Sequence, residues 1–175
     1  MKMHYKTNKE KRASIIGSLN EVLILVHPDC VIELPVSTIK EYTKRVFSAI
    51  NKYNTIIHLF FSNGFGENLS DEKKELYKKL REILMTADVV MISDHKNMYS
   101  GSFKKELPDW IIDHKGGTIR IGGGYKDLCV RKTKEMLSGL GWLLKEQEIS
   151  VVDDESLTFS RQMGNGNSLL TDEND

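Results

Sequence analysis

Thr118–Leu140, TIRIGGGYKDLCVRKTKEMLSGL, is the stretch whose reading decides the fold. Thr118, Ile119 and Ile121 are β-branched and suit a short buried strand. Gly122, Gly123 and Gly124 allow positive φ and close backbone approach, so the spacing predicts a tight turn there. A helix should follow, with Asp127 as its N-cap and Val130, Thr133, Leu137 and Leu140 on one face. Cys129 then stands at the mouth of a strand-to-helix turn, among unsatisfied N–H groups at the positive end of a helix dipole. With Lys126 and Arg131 close by in sequence, that setting favours thiolate over thiol and marks Cys129 as a candidate nucleophile. The plain alternative is a core cysteine, since cysteine is among the most buried residue types.

Working outward, the remaining segments repeat the same alternation. EVLILV, at 21–26, is a near-continuous apolar run stopped by His27-Pro28-Asp29, as expected of a central strand in a parallel sheet. Val36, Ile39, Val46 and Ile50 recur at helical spacing after Pro35 and Ser37. TIIHLFF, at 55–61, reads as a second buried strand. Ser70 should cap a helix whose face is Leu76, Leu80, Ile83 and Leu84, with Asp71 and Glu72 at its positive end. DVVMIS, at 88–93, is a third strand. A polar loop follows, then a helix around Phe103, Leu107 and Ile111 with Pro108 near its first turn or kinking it. A last strand falls around Ile149–Val152. The order β-α-β-α-β-α-β-α-β predicts a three-layer α/β sandwich with a mostly parallel sheet, in one domain over residues 19–160. Residues 1–18 read as an N-terminal arm. Residues 161–175, rich in glycine, asparagine and acids, read as a flexible tail that a partner subunit could dock.

The composition narrows the classes of function. The 25 basic and 25 acidic residues cancel, so no global field recruits nucleic acid or an anionic membrane. The two cysteines, Cys30 and Cys129, lie far apart, which argues against a disulfide framework or a structural zinc site. No secretory signal and no apolar run of membrane-spanning length is visible, so a cytoplasmic protein is expected. In open parallel sheets, ligands bind outside the carboxyl ends of the strands. The residues that follow the strands are His27 and Asp29, then Asp94, His95 and Lys96, then the glycines and Cys129. A carboxylate, a lysine and a cysteine should therefore meet on one edge.

Those residues resemble the isochorismatase-like cysteine hydrolases, the family of nicotinamidases and other small amidases. Gly124, Asp127, Cys129, Val130 and Thr133 stand in the arrangement of that family's cysteine motif, followed by Gly141 and the strand EISVVDD. Lys96, Tyr99, Ser100, Phe103 and Leu107 resemble its lysine segment, with one extra residue between Ser100 and Phe103. The likeness covers roughly residues 20–160. It implies a Rossmann-like, isochorismatase-like fold and a triad of aspartate, lysine and cysteine. Cys129 would be the nucleophile on a small amide or related C–N or C–O bond, and Lys96 the activating cation. Backbone N–H groups of the turn through Gly124, Lys126, Asp127 and Leu128, often beside a cis peptide, would hold the oxyanion. Tyr99, Ser100, Phe103 and Tyr125 would line the substrate site.

The departure lies at the acid. The family's first strand ends in Asp-x-Gln, whereas this one ends His27-Pro28-Asp29, with His27 in the acid's place and Asp29 in the glutamine's. Either Asp29 acts as base, or His27 forms a Cys–His pair, or the site is inactive. SNGFGENLSD, at 62–71, lacks the aspartate and histidines of the family's metal-binding subset, so neither metal nor other cofactor is expected. The family usually forms homo-oligomers, which implies a dimer or tetramer here, and Trp142 or Leu169-Leu170 could serve the contact. His58, inside a strand, reads as a satisfied core or interface histidine, and EKKELYKKLRE as a solvated helix face. Two other functions stay open. One is a catalytically degenerate binding or assembly module of the same fold. The other is a nucleotide or phosphate binder using the Gly122–Gly124 turn as an anion cradle, although the Walker lysine is missing.

Overall fold

A computed structural model describes residues 21–53, 55–61, 69–93, 102–113 and 116–160, with the backbone alone for residues 60, 61, 92, 93 and 102–105. The arm at 1–18 and the tail at 161–175 lie outside the described residues. In chain order the elements are β1 (Glu21–Val26), a 3₁₀ turn (Pro28–Glu33), α1 (Val36–Lys52), β2 (Thr55–Phe61), α2 (Asp71–Leu84) and β3 (Val89–Ser93). There follow α3 (Ser102–Ile112), β4 (Gly117–Gly124), a π turn (Lys126–Val130), α4 (Arg131–Gly139), α5 (Gly141–Glu146) and β5 (Ile149–Phe159). The strands form one five-stranded sheet in the order β3-β2-β1-β4-β5, and every neighbouring pair is parallel.

The alternation of each strand sorts side chains onto two faces. Leu23, Leu25 and Ile56 point to one face and pack under Ile39, Tyr42, Val46 and Ile50 of α1 and Leu76, Leu80 and Leu84 of α2. Val22, Ile24, Val26, Ile57, Leu59, Ile119 and Ile121 point to the other, covered by Leu107 and Ile111 of α3, Leu137 of α4, and Leu143 and Leu144 of α5. Strands buried on both faces must be apolar throughout, which is why 21–26 and 55–61 read as unbroken runs. The helix ends also follow the sequence. Ser70 Oγ accepts the Lys73 N–H at 3.4 Å, α1 starts directly after Pro35, and Pro108 lies inside α3. No helix among the described residues is long and apolar enough to cross a membrane.

Two expectations need correction. Gly122–Gly124 form no turn: they are the last residues of β4, paired with β1 and β5, and the chain turns only at Tyr125. The last strand runs on to Phe159, because Gly123 and Gly124 pair again with Thr158 and Phe159 after a register shift. The segment after β1 is a 3₁₀ turn, buried except for Glu33. The sheet order sets the site. From β1 the chain moves outward to β2 and β3, then crosses to β4 and β5 on the other side. The carboxyl ends of β1 and β4 therefore flank the switch point, where open sheets leave a crevice.

Candidate functional site

Two turns meet at that point. The first follows β1. His27 takes a left-handed backbone (φ 42°), uncommon for a residue with a side chain, and its N–H donates to the Leu59 carbonyl at 3.1 Å. The reversal drops the chain straight into the 3₁₀ turn, where Pro28 at the first position fits the required φ. His27 and Asp29 are each only 1% exposed. Asp29 points to the α1/α2 side, where its Oδ1 lies 3.4 Å from Nε2 of His58, itself 3% exposed. Among the described residues, Asp29 Oδ2 and the Tyr42 hydroxyl are buried without a hydrogen-bond partner. The charge of Asp29 acts on Tyr42, Tyr77 and Cys30. Burial, before any charge, raises the thiol of Cys30 and the phenol of Tyr42 far above their ordinary values.

The second turn follows β4. The peptide bond between Gly124 and Tyr125 is cis. Tyr125 then accepts N–H bonds from Leu128 (3.0 Å) and Val130 (3.2 Å) on its carbonyl, which closes the π turn that carries Cys129. Cys129 is half-buried, and the Thr133 hydroxyl donates to its carbonyl at 2.9 Å. The three glycines make room. A Cβ at Gly123, which has φ +112°, would overlap the Val26 backbone; at Gly124 it would strike the Phe159 ring, and at Gly122 the Leu157 side chain. Their backbone is taken up by strand pairing and packing, which leaves an anion cradle without support.

Asp127 is not the N-cap of the helix. It sits inside the π turn, where its Oδ2 accepts from the Ser160 hydroxyl at 3.1 Å, and α4 starts at Arg131 without a side-chain cap. Lys126 and Arg131, the described cations expected to activate the thiol, are engaged elsewhere, as is Lys134. Lys126 binds Glu155 at 2.7 Å, Arg131 lies 3.7 Å from Glu135, and Lys134 binds Asp153 at 2.6 Å. The Cys129 thiol is raised rather than lowered. Burial is the main cause, opposed by a backbone hydrogen bond with Tyr125 and by the charge of Lys132. Lys96, Tyr99 and Ser100 lie outside the described residues, and of Phe103 only the backbone, in α3, is described.

A hydrogen bond joins the two turns. The Tyr125 hydroxyl donates to Glu33 Oε2 and lies 3.5 Å from the Cys30 carbonyl, while the tyrosine ring packs edge-on against Phe159 at 5.7 Å. The charges of Cys129 and Glu33 both reach the Cys30 thiol. His27, Asp29, Tyr125 and Cys129 therefore come to one region, but Asp29 is directed to His58 beneath it, and the charge acting on Cys129 among the described residues is that of Lys132. Sequence reasoning missed Glu33 and the Asp29–His58 pair. The only trace of either was a histidine in an otherwise apolar strand, and nothing in one sequence states that register pairs Leu25 with His58 above Asp29. Among the described residues no group of three or more histidine, cysteine or acidic side chains could hold a metal ion. Leu128 and Trp142 are exposed. Comparison with protein-family models, with curated proteins and with solved structures finds no match.

Proposed function

We propose that this chain is a divergent isochorismatase-like cysteine hydrolase, Rossmann-like in its strand order, acting on a small amide or related C–N or C–O bond. One observation carries the reading: a half-buried cysteine in the turn after β4, beside the turn after β1, at the reversal of a parallel sheet. In this reading Cys129 loses its proton and attacks the carbonyl carbon. N–H groups of the turn at Lys126 and Asp127 take the charge of the oxyanion, since the Leu128 N–H already donates to the Tyr125 carbonyl. The C–N bond breaks as the nitrogen gains a proton, and water cleaves the resulting thioester to give the acid and regenerate the thiol. His27 and Asp29 are the candidate proton acceptors. Lys96 is the cation that must offset the upward push of burial on the thiol. Tyr125, together with Tyr99, Ser100 and Phe103, would line the substrate site. A cytoplasmic location and a homo-oligomeric assembly belong to the same proposal.

The test is the pH dependence of Cys129 alkylation by iodoacetamide, in a Cys30→Ser background, with and without Lys96→Ala. A thiolate titrating below the ~8.5 of free cysteine and rising in the lysine variant supports an activated nucleophile. His27→Ala and Asp29→Ala then identify the acceptor. A thiol that titrates above that value and ignores Lys96 favours the second reading, an assembly module of the same fold. That reading draws on the buried Asp29–His58 pair and on the raised thiol.

A further inference from the structure

A groove runs between the second halves of α1 and α2, open to solvent and toward the amino ends of the strands. We propose that it binds the segment after β5 of the same molecule, with Leu169 and Leu170 on its apolar floor and Asp172 and Glu173 beside its lysines. Phe47, Ile50 and Ile83 form the floor, and Phe47 is 58% exposed. Lys44 stands on one wall and Lys79 on the other, both exposed, and neither makes a hydrogen bond or ion pair with a described residue. Other cations of these helices are matched: Lys40 binds Glu72 at 2.8 Å, Arg45 binds Glu41 at 3.2 Å, and Lys74 lies 3.4 Å from Asp71. Glu82, which also lines the groove, is outnumbered, and α1 and α2 together carry nine basic against five acidic side chains. Such a layer draws an acidic partner.

The occupant follows from reach, sequence and charge. β5 ends beside α1: the Phe159 ring packs edge-on against Tyr42 at 4.9 Å, and Arg45 donates to the Ser156 carbonyl at 3.4 Å. Leu169 is nine residues past Ser160, a reach of up to roughly 30 Å, while the whole of α1 is about 25 Å long. The uncharged spacer MGNGNS, at 163–168, is followed by LLTDEND, which joins two leucines to Asp172, Glu173 and Asp175 as the floor and walls require. Residues 1–18 hold five basic residues against one acid, so Lys44 and Lys79 would repel them. Tethering sets the local concentration of the segment on the order of millimolar, so a modest contact suffices.

Cross-linking reads this docking without reference to any activity. In the full chain carrying Cys129→Ser, with buried Cys30 left in place, Asn51→Cys and Thr171→Cys would be joined by glutathione disulfide and the intramolecular bond timed. Leu169→Asn/Leu170→Asn should slow the bond about tenfold. Lys44→Gln/Lys79→Gln should slow it about threefold at low salt and less at high salt. With the first cysteine moved to Lys145 of α5, on the opposite layer, neither pair of substitutions should slow it. All of these substitutions lie outside the core, so an unchanged urea midpoint separates undocking from unfolding. A rate that neither pair of substitutions changes overturns the proposal. So does faster bonding when the second cysteine is placed at Ala13, the result if residues 1–18 fill the groove. A cross-linked dimer that forms ahead of the intramolecular bond also overturns it, because a second copy then supplies the occupant.

Discussion

The turns after β1 and β4 leave neighbouring strands at the same edge, and they solve the problem of polar groups in opposite ways. The first is sealed. His27, Asp29 and Cys30 are buried, and Asp29 is matched to His58 from the next strand. The second is open. Lys126, Asp127 and Leu128 are exposed, its charges are paired at the surface, and Cys129 is left half-covered between turn and core. The sealed turn is part of the architecture, while the open one leaves the Cys129 thiol half-covered at the edge of the sheet. The sheet can present Cys129 there only because the glycines of β4 let the backbone press against Val26 and Phe159.

The largest effect should therefore fall on those glycines. Gly123→Ala places a methyl against the Val26 backbone at a φ of +112° and should cost roughly 3 kcal/mol or more, read from the urea midpoint at constant m. Gly139→Ala, at the end of α4 with nothing within 4 Å, should be neutral or stabilise by up to about 1 kcal/mol. Equal effects at the two sites would mean that the close approach in β4 does not matter.

Next in size is the sealed pair. His58→Leu strips the Asp29 carboxylate of its described partner in a dry setting and should cost about 3 kcal/mol. The double variant His58→Leu/Asp29→Leu should recover much of that loss, since a buried pair replaced by apolar groups is often neutral. If the double variant is as unstable as the single, Asp29 holds the turn by contacts other than His58.

The unequal legibility of these regions has a physical cause. The strand runs at 21–26 and 55–61 and the faces of α1 and α2 were readable because periodicity is a local property of the chain. The glycine triplet was misread as a turn because glycine permits two things, positive φ and close approach, and only the neighbouring strands reveal the second. The thiol's direction was missed for a related reason. Lys126 and Arg131 are near Cys129 in sequence, but their charges go to Glu155 and Glu135, and burial decides the rest. Cys129, His27 and Asp29 were brought to one edge by the rule for parallel sheets; the orientation of Asp29 depended on its partner one strand away.

The raised groups also set an alkaline limit. Cys30, Tyr42 and Tyr53 all keep their protons in the folded chain well above the ordinary 9.0 of the thiol and 10.0 of the phenols, with burial the first cause in each. A raised acid ionises first in the unfolded chain. The stability it contributes is thus complete below the unfolded value and is lost as pH climbs past it, by up to about 1.4 kcal/mol per pH unit per group. Unfolding free energy should be flat near neutrality and decline from about pH 9. Cys30→Ala should make the decline above pH 9 shallower, leaving the part due to the raised Cys129 thiol until the tyrosines add to it near 10. A decline that ignores Cys30 would mean that this thiol is solvated and the first turn is not sealed.

The smallest effect tests the open turn. Lys126→Ala breaks an exposed pair with Glu155, both half-exposed or more, and should change stability by less than about 0.5 kcal/mol. It should also leave the alkylation profile of Cys129 in place, because the charge of Lys126 is already matched by Glu155. Lys132→Ala should shift that profile to higher pH, since Lys132 is the described cation that favours the thiolate. The comparison of the two lysines separates charge paired at the surface from charge that acts on the thiol. If both variants move the profile equally, the cations of this turn act on Cys129 together, and surface pairing does not insulate it.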